Sequence, residues 1–257
     1  QLGGLMEFRD GAMDRAQNSL GQVAASLATA FNAQHVLGQD QNGDLGTNFF
    51  NPIQAYVGTN THNSPASTAD VTAVVTDASA LTASDYSVDY DGTNYSVTRK
   101  SDGKVTAVTG SPQEIDGVTY TFSGTPQAKD NFLVRPTYNA ATSLSVAITD
   151  TTKIALAAPI ATAAATANAG NAKISAGSVD KNYLTPGNAL TAPATLTFDK
   201  ASGTLSGFPA GQDVTVTVNG TPTVYPAGTP VPYTDGANIS FGGVSFAISG
   251  TPVDKDT

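Results

Sequence analysis

The sequence predicts an α+β protein, mostly antiparallel β, built as one long N-terminal helix followed by two related β modules. Three observations predict it. Apolar residues recur at three- and four-residue steps only between residues 5 and 37. After Pro52 the pattern changes to alternation rich in Thr, Val and Tyr. Finally, GVTYTFSGTPQAKD, starting at Gly117, returns as GVSFAISGTPVDKD, starting at Gly243. Eight of these fourteen positions are identical, and three more are Thr/Ser, Tyr/Phe and Phe/Ile exchanges.

The first element is a short helical piece around GGLMEFRDG, carried by Leu5, Phe8 and Met13. The main helix follows. Leu20, Val23, Leu27 and Phe31, with Ala24 and Ala30 beside them, form one apolar stripe. Asp14 followed by Gln17 reads as a capping box, and Gly38 as the left-handed residue that ends the helix. His35 falls in the last turn, where positive charge complements the helix dipole. From Asp14 to Leu37 such a helix runs roughly 35 Å. A stripe this narrow calls for a partner helix, and the chain offers no second one, so the partner is expected to lie outside these residues.

The β region opens after the turn Asn42-Gly43-Asp44. Tyr86–Tyr90 and Tyr95–Thr98, separated by Asp91-Gly92-Thr93-Asn94, predict a hairpin. Val105, Val118, Tyr120 and Phe122 continue the alternation, as do Val214, Val216 and Val218 before the turn Asn219-Gly220. The Pro-rich run from Pro222 to Pro232 predicts an edge strand or loop. The Ala/Thr tract from Ala155 to Ala169, interrupted by Pro159, predicts a connector. Both copies of the repeat read as a strand followed by a Ser-Gly-Thr-Pro turn. The first continues as Asn131–Pro136, a natural partner strand, whereas the second reaches Thr257 where that strand would begin. The expected organisation is therefore a helical segment with junction loop (1–52), a first β domain plus connector (53–170), and a second β module truncated at its C-terminus (171–257).

Composition excludes several function classes. The chain of 257 residues has no cysteine, which removes disulfides, thiol nucleophiles and cysteine-held zinc. A formal net charge of −9 without any basic run argues against nucleic acid. The closest basic pair, Arg99-Lys100, reads as a solvated strand end. No apolar run approaches the ~20 residues of a membrane span. There is no signal peptide, and Gln1 in place of Met suggests a fragment of something longer.

The turn DQNGDLG offers oxygens at alternate positions, Asp40, Asn42 and Asp44, like the start of an EF-hand. It then departs from that pattern, with Leu45 where the sharp-turn glycine belongs and Asn51 where a bidentate Glu belongs. A hydrogen-bonded Asx turn is the expected reading. The two histidines, His35 and His62, are explained by a helix end and a turn-rich loop, and no acid pair or phosphate loop stands out. No catalytic, cofactor or metal site is expected.

The stretch FNAQHVLGQDQNGDLGTNFF, with the upstream GGLMEFRD and RAQNSLGQVAASLATAFN, resembles the flagellar hook-associated protein 1 (FlgK) family. In that family a helix of the axial core is followed by an Asn-Gly-Asp-x-Gly turn and a paired aromatic, matched here by Asn42–Gly46 and Phe49-Phe50. The GVxFxISGTPxxxD elements resemble its β domains, where Gly often stands before the final Asp; here Lys129 and Lys255 take that place. The resemblance implies a structural subunit of the bacterial flagellum at the hook–filament junction, extracellular, exported without a cleavable signal peptide. It implies contacts with hook protein, a second hook-associated protein and copies of itself, through the Leu20–Phe31 stripe and the outer β surfaces. Without terminal axial helices the chain is expected to be monomeric. The alternative readings are an extracellular β-module adhesin or binding protein, and a hydrolase with converging acids or His62.

Overall fold

Small residues, not large ones, decide how the long helix docks. The computed structural model describes residues 13–257; the expected helical piece around Leu5 and Phe8 lies outside them. Helix α1 (Asp14–His35) runs through the periodic segment. Its buried face is Asn18, Gly21, Ala25, Ala28, Asn32 and His35, spaced at alternating steps of three and four. A side chain at Gly21 would run into the Thr137 carbonyl oxygen, so backbone lies directly against the helix there. The expected capping box does not form in its reciprocal sense. Gln17 Nε2 donates instead to the Tyr138 carbonyl at 2.9 Å, and Asp14 pairs with Arg135 at 3.1 Å.

Contacts divide the chain into two units. The first joins the described residues up to His35 to Thr47–Thr151, and the second joins Val36–Gly46 to Thr152–Thr257. This differs from the expected three-part division with boundaries after residues 52 and 170. Ala25 and Ala28 belong to the same core as the first β module, so helix and module are one unit. The tract 155–169, which carries neither helix nor strand of its own, goes with the second unit.

The first unit contains β1 (Tyr56–Thr59), β2 (Asp70–Val75), β3 (Tyr86–Tyr90), β4 (Tyr95–Arg99), β5 (Val105–Ala107), β6 (Gln113–Ile115), β7 (Val118–Ser123) and β8 (Asn131–Arg135). They form two antiparallel sheets, ordered β1-β8-β3-β4-β5 and β2-β7-β6. Alternate residues of both sheets share one core: Tyr86, Val88, Val97, Phe132 and Val134 from one, Val71, Ala73, Val75, Val118 and Tyr120 from the other. The predicted hairpin is β3–β4, with Tyr90 opposite Tyr95. Asp91 Oδ1 accepts the amides of Thr93 and Asn94, which makes the turn. A short helix α2 (Ala140–Ser143) packs against α1. Arg99, expected to be solvated, is instead held in a half-buried fork on Asp116, Nε–Oδ2 2.9 Å and Nη2–Oδ1 2.6 Å. Asp116 also accepts from the Tyr86 hydroxyl, and burial pushes that phenol up to about 12.

The second unit contains β9 (Lys173–Ile174), β10 (Ser178–Val179), β11 (Thr197–Asp199), β12 (Thr204–Ser206), β13 (Val214–Val218), β14 (Thr221–Tyr225), β15 (Val231–Pro232), β16 (Asn238–Phe241) and β17 (Val244–Ser249). The larger sheet is ordered β10-β17-β16-β13-β14, with β9 also on β17, and the smaller β11-β12-β15. Asn219 and Gly220 both have positive φ, the two-residue turn that suits the twist of the β13–β14 hairpin. The Pro222 strand β14 is an edge of its sheet, as its proline requires.

The repeated sequence makes the same device in each unit. Strands β7 and β17 follow tight turns at Asp116-Gly117 and Gly242-Gly243, all four residues at positive φ. The Ser-Gly-Thr-Pro turn then leads to a buried aspartate. Asp130 Oδ2 accepts the Gln127 amide at 2.8 Å, and Asp256 Oδ2 the Val253 amide at 2.8 Å. Lys129 and Lys255 sit at φ 74° and 67°, the left-handed region that explains why glycine suits that place. Lys129 N donates to Tyr90 O and Tyr90 N to Asp130 O, so two residues face one, a β-bulge. Lys255, Asp256 and Phe198 repeat those two bonds.

Candidate interaction surface on the long helix

Opposite its buried seam, α1 exposes its large apolar residues. Met13, Leu20, Val23, Leu27 and Phe31 are all open to solvent, with Leu20 at 61%, Val23 at 66% and Leu27 at 53% exposure. Ala16 and Ala30 are exposed between them. Met13, Ala16, Leu20, Val23, Leu27 and Ala30 alternate steps of three and four, the spacing of a coiled-coil seam. The helix thus has two faces of opposite kind. Small and polar residues seat it on its own β unit, and large aliphatic ones form a row that no described residue of that unit covers. The sequence located Leu20, Val23, Leu27, Phe31 and Ala30 of this exposed face, but it set Ala24 beside them, which the structure buries; it missed the buried seam, because Gly, Ala and Asn carry little hydrophobic signal.

The end of the row is braced by aromatic rings. Phe31 lies 4.8 Å from Phe49 and 5.6 Å from Phe50, ring centre to ring centre, and Phe49 lies 5.0 Å from Phe50. Asn32 fixes the strand-like segment below: its Nδ2 donates to the Phe50 carbonyl at 2.9 Å, and the Phe50 amide donates back to its Oδ1 at 2.8 Å. His35 stands in the last turn of the helix, as expected, and is buried there. Its Nδ1 donates to the Thr47 carbonyl at 2.6 Å, which fixes the proton on that nitrogen, since a carbonyl only accepts.

In the second unit, the turn that resembled a calcium loop is organised around one carboxylate. Asp40 Oδ1 accepts the amides of Asn42 at 2.8 Å and Asp44 at 2.9 Å, the Asx-turn arrangement. Partial desolvation opposes ionisation of Asp40, but the amides of Asp44 and Asn42 outweigh it and hold the carboxyl below its ordinary value. Gly43 supplies the left-handed residue, at φ 87°. Gly38 does not, contrary to expectation; it is required because the Ala155 carbonyl approaches within 2.5 Å of where a Cβ would stand. No group of three or more His, Asp or Glu side chains that could hold a metal converges among the described residues. Calorimetric titration with calcium is expected to show no binding at millimolar or tighter affinity; heat at that level lost in Asp40→Ala would overturn the Asx-turn reading.

His62 lies in an exposed turn, where its amide and its Nδ1 both meet Asn60 Oδ1, at 2.9 and 3.2 Å. Among the described residues no helix is long and apolar enough to cross a membrane.

Comparison with known proteins places these features. A family model described as the flagellar hook-associated protein FlgK helical domain matches residues 1–50. One for the D2-like domain of flagellar hook-associated protein 1 matches 58–136, and one for its D3 domain matches 159–257. The chain is 40% identical over 159 residues to flagellar hook-associated protein 1 of Escherichia coli K12, covering 61% of this chain and 29% of that protein. It is 38% identical to its counterpart in Salmonella typhimurium LT2, with the same coverage. It also matches the structure of the flagellar hook junction protein FlgK from Burkholderia pseudomallei, at a TM-score of 0.84 and 36% identity, over 99% of this chain and 49% of that one. The chain therefore spans about half the length of the solved relative and aligns with under a third of the curated ones. Helical segment, first β unit and second β unit are matched in that order by three domains of one family, and the chain belongs to the flagellar hook-associated protein 1 family.

Proposed function

We propose that this chain is a structural, non-enzymatic part of a junction subunit between flagellar hook and filament. The observation that carries the reading is the exposed coiled-coil row on α1, from Met13 to Ala30. It docks on axial helices, while the β units form the outer surface that meets neighbouring subunits. Its partners are hook protein, a second hook-associated protein and further copies of the same subunit. The Burkholderia relative is a flagellar hook junction protein, which supports this assignment. The location is extracellular, after export without a cleavable signal peptide; the absence of cysteine fits passage as an unfolded chain.

Burying an aliphatic side chain such as Leu20 or Leu27 on a partner helix is worth roughly 1.5–3 kcal/mol. In the whole subunit, the double variant Leu20→Asp, Leu27→Asp is therefore expected to abolish incorporation at the hook tip and with it motility. The same pair should lower the stability of the 257-residue chain by only about 1 kcal/mol, because both residues are exposed there and the loss is chiefly one of helix propensity. The chain itself should sediment as a monomer. Normal incorporation of the double variant would sink the proposal.

A further inference from the structure

The two most exposed large apolar residues on any described strand are Val105, at 63%, and Val224, at 60%. Each lies on the last strand of its sheet, β5 in the first unit and β14 in the second. Exposed edges commonly carry charge that keeps other chains away. Neither β5, Val-Thr-Ala, nor β14, Thr-Pro-Thr-Val-Tyr, has a charged residue, in a chain of net charge −9.

Which backbone groups face outward follows from the pairing on the inner side. Beside β5, the Arg99 amide donates to the Lys104 carbonyl and the Val108 amide to the Tyr95 carbonyl, both at 2.9 Å. Bonded pairs alternate with unbonded ones along an antiparallel ladder, so Val105 and Ala107 turn their amides and carbonyls outward. On β14 the turn Asn219-Gly220 closes the hairpin at Val218 and Thr221, and Pro222 and Val224 therefore face outward. The amides of Val105, Ala107 and Val224 bond to no described residue. Of the four outward carbonyls, that of Ala107 alone has a partner among the described residues, the Gln113 side chain, whose Nε2 donates at 3.4 Å.

We propose that β14 of one copy pairs antiparallel with β5 of the next, Val105 opposite Val224 and Ala107 opposite Pro222. This names the surfaces by which copies meet, and so rests on the reading of the chain as part of a repeating subunit. Val105 and Val224 exchange two hydrogen bonds, and the Ala107 amide donates to the Pro222 carbonyl. Proline has no amide to return, and the carbonyl it leaves out, that of Ala107, is the one Gln113 already serves. Side chains meet like with like: Val beside Val, Thr106 beside Thr223, Ala beside Pro. Pairing β5 with β5 of a second copy would instead set Val105 against the Ala107 methyl and compete with Gln113 for its carbonyl. A contact between two different edges can repeat from copy to copy. It is far smaller than the ~1,200 Å² of a stable interface. The isolated chain therefore stays monomeric at ordinary concentration, and the pairing tells between copies that other contacts already hold together.

The test mixes two versions of the 257-residue chain, Thr106→Cys and Thr223→Cys, at millimolar concentration under mild oxidation; the chain has no other cysteine. In the proposed register these two residues form an unbonded pair with Cα atoms about 4.5 Å apart, within reach of a disulfide. The mixed dimer is expected to exceed each homodimer by about tenfold, since an oriented encounter brings the two sulfurs together. Adding Val105→Pro to the Thr106→Cys version removes an amide that the fold itself does not use, and should return the mixed dimer to its statistical share. Statistical yields in the first mixture would overturn the proposal, as would an excess of mixed dimer that survives Val105→Pro. A dominant homodimer of either version would overturn it in favour of an edge pairing with itself. Hook incorporation is not read in this experiment, so failure here leaves the role of the α1 row standing.

Discussion

Asp130→Ala is expected to lower the melting temperature of the first unit by about 10 °C, read by near-ultraviolet circular dichroism or by hydrogen exchange in β3 and β8. The carboxylate is buried and ties its own turn to a second segment through three donors. It accepts the Gln127 amide at 2.8 Å within its own turn, the Ser67 hydroxyl at 2.5 Å and the Ser64 amide at 3.3 Å from the loop before β2. Alanine would leave those donors without an acceptor in a place water does not reach, and that desolvation is the larger part of the effect. Asp256→Ala should act likewise on the second unit, through the amides of Val253, Ala169 and Gly170. A pH dependence follows. The Gln127 amide and then the Ser67 hydroxyl, against an opposing desolvation, hold the Asp130 carboxyl below its ordinary value. A carboxyl depressed in the folded state stabilises above its unfolded pKa of about 4, and that contribution is lost as pH falls through the folded value. Wild-type stability should therefore drop below about pH 4, and Asp130→Asn should flatten that drop. A variant as stable as wild type, with the same acid limb, would show that the repeated aspartate has no part in holding the unit together.

Gly21→Leu should be nearly as damaging, at about 3 kcal/mol, the upper range for overpacking a tight contact. The Thr137 carbonyl lies where the new Cβ would stand, and it is backbone, so it cannot swing aside. The helix must lift, exposing Ala25 and Ala28. Leucine raises intrinsic helix propensity relative to glycine, so any loss runs against the local preference and isolates the docking term. The urea midpoint measures it, and Leu20→Ala on the opposite face is the control, expected to change little. Equal midpoints for Gly21→Leu and wild type would mean that α1 does not dock through this seam.

These two positions show what was legible in the sequence. The helix was found from Leu20, Val23, Leu27 and Phe31, the residues the structure leaves exposed. Hydrophobic periodicity reports that a face must be covered by something; it does not say by what. The contact actually made within the unit rests on Gly21, Ala25, Ala28 and the amide of Asn32, whose value is close approach and hydrogen bonding, and neither has a hydropathic signature. Hairpins were legible where alternation met turn chemistry, as at Asp91–Asn94 and Asn219-Gly220. Two-residue strands such as β9 and β10 were not, since their pairing is dictated by β17. The repeat announced Asp130 and Asp256 as equivalent but could not reveal that each receives amides from a distant loop. Gly38 was assigned the right kind of residue and the wrong reason: the nearby Ala155 backbone, a long-range neighbour, selects it.

The attachment of α1 also determines how the first unit responds to load. Its anchors lie along nearly the whole helix: Asp14 on Arg135, Gln17 on the Tyr138 carbonyl, Gln22 on the Leu81 carbonyl, Asn32 on Phe50 and His35 on Thr47. A pull parallel to the helix axis stretches all of these bonds together, in shear, and the resisting force is their sum. A pull perpendicular to the axis at one end would peel them one after another, each yielding at its own small threshold. The arrangement makes the unit stiff against tension along the helix and weak against being unzipped from either end.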